Sequence, residues 1–167
     1  MMTRENEVNQ KDSGFADFVI NVRRVTKVTK GGKRFSFSAL VVSGNQKGNI
    51  GVGLGKSKEV SQAIAKATNQ ARKNLIAVAM RGTTIPYPVV GRHGASTVVI
   101  RSASKGTGVI AGGAVRSIME ALGIKDVLAK SIGSANRQNV VKATLNGLAQ
   151  LRSAEHLARL CNTKVGI

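Results

Sequence analysis

The sequence predicts an α+β protein of two modules, a β-β-β-α unit followed by an α/β unit. Three observations carry this. In residues 35–42 and again in residues 50–55 side-chain types alternate at every second position, the period of strands with one buried face. From Ser57 to about Met80 the spacing changes to three and four, the period of a helix. Pro86 and Pro88 then interrupt the chain, and shorter strand and helix signals follow.

Residues 1–14 are polar and lack periodicity, so they are expected to form a flexible extension. The first strand falls within residues 15–28, with Phe18, Ile20, Val22 and Val25 apolar and Arg23, Arg24 and Lys27 basic. Gly31-Gly32 lies between two strand patterns and reads as a hairpin tip. In the second strand Phe35, Phe37, Ala39 and Val41 alternate with Ser36, Ser38, Leu40 and Val42, which places the first set in a core. After a turn at 44–48 comes a third strand, in which Val52 and Leu54 alternate with Gly51, Gly53 and Gly55. One of its faces has no side chains, so a helix, another backbone or a phosphate can approach closely. Ser57 is expected to cap a helix whose buried stripe is Val60, Ile64, Ala67, Ala71, Leu75 and Val78. At the level of fold alone, β-β-β-α resembles double-stranded-RNA-binding domains.

The stretch 81–94 breaks the pattern and marks the boundary between modules at 15–82 and 83–167. A strand over Ser96 to Ser102 is followed by a glycine-rich run at 106–114. Val115, Ile118 and Leu122 then mark a helix that ends near Gly123. Val127 to Ile132 is a short strand, and Val141, Leu145 and Leu148 define a helix from about Asn136 to Leu151. Ser153 is placed to cap a last short helix.

The charge is extreme. Of 167 residues, 26 are Lys or Arg and 8 are Asp or Glu, for a net charge of +18. From Phe18 to Met80 there are twelve Lys or Arg against one acid, Glu59. Such self-repulsion disfavours a compact state unless a polyanion offsets it. Aromatic residues are scarce, with four Phe, one Tyr and no Trp, so recognition of nucleic-acid backbone and shape is favoured over base stacking. A lone Cys161 excludes an internal disulfide and suits a reducing compartment. No apolar run approaches the roughly 20 residues that cross a bilayer, and no apolar signal core opens the chain. A soluble cytoplasmic protein is expected, without membrane association.

Several motifs invite chemistry. Lys27, Lys30, Lys33 and Arg34 crowd round the glycine pair, either as a solvated tip that blocks edge pairing or as a seat for an anion. Gly55-Lys56-Ser57 ends like a phosphate-binding loop, but Ile50 stands where that motif needs glycine. Gly106-x-Gly108-x-x-Ala111 fits a dinucleotide fingerprint, with Asp126 about twenty residues on. That acid precedes the strand it should end, which argues against the site. The helix start beside Lys105 and Thr107 reads either as an anion site or as a surface packed against a sheet or a partner protein. His93, His156 and Cys161 are too scattered for a metal site, and no catalytic constellation or cofactor site is legible.

The segments GGKRFSFSALVVSG at 31–44, GVGLGKSKEV at 51–60, KGTGVIAGGAVRS at 105–117 and GSANRQNVVKATLNGL at 133–148 resemble the bacterial form of the ribosomal protein S-five family of the small subunit. The resemblance runs in order from about Phe15 to Leu151. It implies an N-terminal domain of double-stranded-RNA-binding type and a C-terminal α/β domain with a left-handed β-α-β crossover. It also implies a structural, non-enzymatic role. Such a protein binds small-subunit ribosomal RNA where the head joins the body, touches the proteins S-four and S-eight, supports decoding accuracy, and is monomeric within the ribosome. The hairpin Lys30, Gly31, Gly32, Lys33 and Arg34 matches the RNA-contacting loop beside the spectinomycin site. Arg23, Arg24, Lys27, Lys56, Lys58, Lys66, Lys73, Arg92 and His93 complete the expected RNA contacts. Lys105, Gly106, Thr107, Gly108, Gly112, Gly113 and Arg116 match the interface with S-four. Asn45 stands where the family often has Asp, and Arg137 where it often has Pro. Against this reading stand a free regulator that binds duplex RNA through the first module alone and, third, a dinucleotide enzyme.

Overall fold

A computed structural model describes residues 14–161 of the chain; the flexibility expected of the N-terminal extension concerns residues outside these, apart from Gly14. The fold is α+β. In chain order it consists of β1 (Ala16–Thr29), β2 (Gly32–Gly44), β3 (Asn49–Ser57), α1 (Val60–Lys73), β4 (Leu75–Ala77), β5 (Val89–His93), β6 (Ser96–Ser102), β7 (Val109–Ile110), α2 (Gly113–Leu122), β8 (Val127–Gly133), α3 (Arg137–Leu148) and α4 (Ala154–Cys161). Two four-stranded sheets result, ordered β1-β2-β3-β4 and β5-β6-β8-β7. The chain divides into two compact units. One is built on the residues up to Ile76 with Glu120–Leu122, the other on Ala77–Met119 and the residues from Gly123 onward.

The first unit is organised by the bare face of β3. A Cβ on Gly51, Gly53 or Gly55 would overlap the carbonyl oxygen of Ala71, Ala67 or Ala63 respectively. The alanines lie one helical turn apart, so α1 rides on the sheet backbone to backbone. Of the approaches left open by the sequence, the helix is the one realised. This contact also corrects the expected stripe: Ala63, Ala67, Thr68 and Ala71 are the buried residues of α1. Val60 is 37% exposed, because a larger side chain cannot enter so close an interface. The helix stops at Lys73 rather than Met80, and Leu75 passes into β4, a strand that the helical spacing concealed. Ser57 belongs to β3; its hydroxyl donates to Gln62 Oε1 at 2.9 Å, and Glu59 holds the N-cap position without a side-chain cap.

Ala39 and Val41 enter the core with Ala63 and Ala67, and Val19, Phe37 and Ile64 pack against it. Phe35 does not reach it and is 45% exposed, because the β1–β2 hairpin runs on beyond the helix. Leu40 and Val42, expected on an open face, are buried too.

In the second unit β5, β6 and β8 pair antiparallel, and β7 runs parallel to β8 through α2, giving a β-α-β crossover. The boundary stretch contains β5, so His93 lies in a strand rather than a loop, and the glycine run contains β7. Gly91 repeats the device of the first unit: a Cβ there would overlap the Ala143 carbonyl of α3. At this contact the small residues Ala143 and Gly147 face Gly91; α3 also buries Val140, Val141, Thr144 and Leu148. Leu145 is half-buried, and the helix ends at Leu148, short of Leu151. Asn136 Oδ1 accepts from the Gln138 amide, and Ser153 Oγ accepts from the His156 amide at the start of α4.

Candidate nucleic-acid interface

The β1–β2 ladder continues to the pair Thr29 and Gly32, so the tip is Lys30-Gly31, one residue earlier than the glycine pair suggests. Thr29 Oγ1 donates to the Gly32 carbonyl at 3.0 Å and closes the turn. Gly32 has φ +126°, a conformation that side chains resist. Residues 22–28 and 30–35, the distal part of the hairpin, are exposed.

Pairing sets the faces. Lys27 stands directly opposite Arg34, with Val25 opposite Ser36 and Arg23 opposite Ser38. The next pairing, Ser38 with Lys56, extends this face onto β3. Arg24, Thr26, Val28, Lys33 and Phe35 share the other face, where the Arg24 guanidinium lies 3.6 Å from the centre of the Phe35 ring. Two like charges directly across a ladder are destabilising. Among the described residues no carboxylate pairs with the hairpin cations.

At the end of β3 an open groove of ≈ 580 Å³ is lined by Val25, Ser36, Lys56, Ser57, Lys58, Glu59, Gln62 and Lys66. Its one acid, Glu59, is engaged by Gln62 Nε2 at 2.9 Å. Three lysines and the start of α1 therefore converge on one concave surface beside the hairpin. Lys73 is not part of it: that residue ends α1, whose 14 residues span roughly 20 Å. Its neighbour Arg72 pairs with Asp17 at 2.7 Å. Arg92 and His93 belong to the second unit, Arg92 exposed and His93 half-buried.

The glycine run of the second unit is occupied by the chain's own acid. Asp126 Oδ1 accepts from the amides of Gly106 at 2.9 Å and Gly108 at 3.1 Å, and Oδ2 accepts from Thr83 Oγ1 at 2.8 Å. The Thr83 hydroxyl, then the Gly108 and Gly106 amides and Lys105, hold this carboxyl below its ordinary pKa against the opposing effect of burial. Amides that a dinucleotide pyrophosphate would need are already donated, and Asp126, which such a site would turn toward a ribose, is turned onto the loop. That disposes of the dinucleotide alternative. Lys105, Gly106, Thr107, Gly112, Gly113 and Arg116 are exposed, and a Cβ on Gly106, Gly108, Gly112 or Gly113 would meet nothing within 4 Å. Arg116 Nη2 donates to the Val109 carbonyl at 3.3 Å, fastening the helix start to β7.

Sequence reasoning missed two surfaces. One is the Arg24–Phe35 stack, hidden because the alternation sent Phe35 inward. The other is the open face of the second sheet, where Val99, Arg101, Ile110, Leu128, Ala129, Lys130 and Ile132 line a groove of ≈ 430 Å³. Its strand β7 was not legible as a strand. Among the described residues no group of three His, Cys, Asp or Glu could hold a metal, and no helix is long and apolar enough to cross a membrane.

Residues 15–79 match the family described as "Ribosomal protein S5, N-terminal domain", and residues 91–160 match "Ribosomal protein S5, C-terminal domain". Small ribosomal subunit protein uS5 of Lawsonia intracellularis is 52% identical over 153 residues, covering 92% of this chain and 94% of that protein. The uS5 protein of Rhodopseudomonas palustris strain TIE-1 is 51% identical over 163 residues, covering 97% and 85%. That of Pelagibacter ubique is 49% identical over 158 residues, covering 94% and 93%.

Proposed function

This chain belongs to the ribosomal protein S5 family, and from that premise we propose that it is a structural constituent of the small ribosomal subunit, binding the subunit's RNA where head meets body. It performs no catalysis and takes no cofactor; its place is the ribosome in the cytoplasm, where it is a monomer among other proteins. The observation that carries the RNA reading is the Lys27–Arg34 cross-strand pair, two cations set face to face on a hairpin without a carboxylate beside them among the described residues. Phosphate between or alongside them removes the repulsion.

In this reading the RNA backbone runs along one continuous surface of the first unit. Arg23, Lys27, Arg34 and Lys56 supply the sheet face, Lys30, Gly31, Gly32 and Lys33 the tip, and Lys58 and Lys66 the groove. Arg24 contributes from the opposite face of the hairpin, while Lys73, Arg92 and His93 would meet separate segments of RNA. A rigid loop presenting Lys105, Gly106, Thr107, Gly108, Gly112, Gly113 and Arg116 is suited to a flat protein contact, because its glycines face open space and its amides are fixed by Asp126. We assign it to S-four, with S-eight as a further neighbour. Support of decoding accuracy follows from bracing the RNA and these proteins together.

The test is a filter-binding titration of the full chain against small-subunit ribosomal RNA and against a generic duplex. With six or more phosphate contacts, affinity should fall about a thousandfold or more between about 50 and 200 mM salt. A flat salt response would refute the reading, and equal affinity for the generic duplex would favour a free duplex-binding regulator instead.

A further inference from the structure

We propose that the hairpin also holds an unpaired nucleobase, stacked on the guanidinium of Arg24 with the Phe35 ring beneath it. This rests on the RNA-binding reading above and adds to it a contact made to a base rather than to phosphate.

The two side chains lie diagonally across the ladder: Thr26 is the partner of Phe35, and Arg24 is two residues before Thr26 on the same face. At 3.6 Å from the ring centre, Arg24 Cζ is in van der Waals contact with the ring, well inside the roughly 6 Å reach of a cation–π interaction. Phe35 is 45% exposed in a chain that has only four Phe, one Tyr and no Trp. Core packing does not explain a large ring at this position, because the core ends at Phe37. Nor does local charge explain the arginine. Its neighbours on this face are Thr26, Val28, Lys33 and Phe37, none of them acidic.

The stack therefore offers an exposed planar cation with an aromatic ring against it. Arginine planes and aromatic rings are the surfaces on which proteins seat bases that have left an RNA helix. Lys33 follows on the same face two residues from Phe35, within roughly 7 Å along the strand, where it can meet the phosphate of the stacked nucleotide. Stacking tolerates any base, so the ligand is defined by being unpaired rather than by its identity. A perfectly paired duplex cannot supply it.

The test uses the full chain in titrations across about 50–200 mM salt, against small-subunit ribosomal RNA and against a perfectly paired duplex. Arg24→Lys keeps the charge and loses the plane. Phe35→Leu keeps apolar bulk and loses the ring, and Phe35→Tyr keeps the ring. Arg24→Lys and Phe35→Leu should each weaken binding to the ribosomal RNA by between about fivefold and about a hundredfold, with the salt slope unchanged because no phosphate contact is lost. Neither should alter binding to the duplex, and Phe35→Tyr should bind like the unaltered chain. Arg24→Lys keeps a long aliphatic stem beside Phe37, its cross-strand partner, and matched thermal melts exclude a folding effect. Binding of both weakened variants within about twofold of the unaltered chain would overturn the base contact, as would an equal loss on the duplex. Failure of the unaltered chain to bind either RNA at low salt would overturn the RNA reading beneath it.

Discussion

Replacing Gly53 with alanine adds one methyl group where the structure has no space for it. The new Cβ would overlap the Ala67 carbonyl oxygen and stand 2.7 Å from the Ala71 amide nitrogen and 2.9 Å from the Ala67 carbonyl carbon. All three atoms are helix backbone, so no side chain can swing aside. Either α1 lifts from the sheet along its length or β3 buckles. Overpacking a core commonly costs 1–3 kcal/mol, and this case belongs at about 3 kcal/mol because the obstruction is rigid on both sides. At roughly 4–8 °C per kcal/mol for a domain of this size, the unfolding transition of the first unit should fall by about 12–24 °C. Gly31→Ala is the matched control: its Cβ would meet nothing within 4 Å, so its effect should stay within about 0.5 kcal/mol. Circular dichroism melts of the three full-length chains read the difference. A Gly53→Ala midpoint within about 2 °C of the Gly31→Ala midpoint would refute the backbone-to-backbone account of this interface.

Three further outcomes follow from the same geometry. Lys27→Glu turns the repulsive pair with Arg34 into an attractive one; thermal melts should show a gain of about 0.5–1 kcal/mol while filter binding to ribosomal RNA weakens, and a lower midpoint would contradict the pairing argument. Lys58→Ala and Lys66→Ala should each reduce the salt slope of RNA binding by about one and weaken all RNAs alike, whereas loss for one sequence alone would remove the groove from the phosphate path. The Asp126 carboxyl is held below its ordinary pKa, so its ionised form contributes stability above the ordinary carboxylate range, and this is lost as pH falls through the depressed folded value. Asp126→Asn should therefore flatten the acid limb of an unfolding-versus-pH curve for the second unit, and an unchanged limb would show that the carboxylate does not hold the loop.

Where one face of an element is buried and the other wet, the sequence was readable. The strand Ser96–Ser102 lies where the sequence places it, the β1–β2 hairpin turns within one residue of its expected tip, and α2 ends at Leu122, beside the expected stop at Gly123. The failures share a cause. Leu75 and Val78 continue a helical spacing by coincidence, yet Asn74 leaves the helix and its amide bonds back to the Ala71 carbonyl, so the chain turns into β4. Hydrophobic periodicity also overrates large residues: here the helix buries alanine, because its partner strand is glycine. Val109–Ile110 is a two-residue strand, too short for any period to register. At the candidate site, residue types announced the cations, but only the register reveals that Lys27 opposes Arg34 and that Arg24 stacks on Phe35. The loop-holding role of Asp126 was not legible because its partners, Gly106, Gly108 and Thr83, are 18 or more positions away in sequence.

Glycine-on-alanine packing and cationic excess belong to one design problem. A chain with net charge +18 repels itself and needs stiff units that hold their shape while the charge remains on the surface. Large side chains would fill a thicker core, but they would also separate helix from sheet and enlarge the unit. Placing Gly51, Gly53 and Gly55 against Ala63, Ala67 and Ala71 brings the two layers close with little volume between them, and Gly91 against Ala143 repeats this in the second unit. Close backbone contact gains dispersion energy without flexible side chains whose ordering would cost entropy. The β1–β2 hairpin can then project past its helix as a rigid two-stranded arm. On that arm Lys27 and Arg34 stand directly opposite each other, an unfavourable pairing. In the proposed RNA-binding reading, phosphate beside the pair would relieve this repulsion and so add to the affinity.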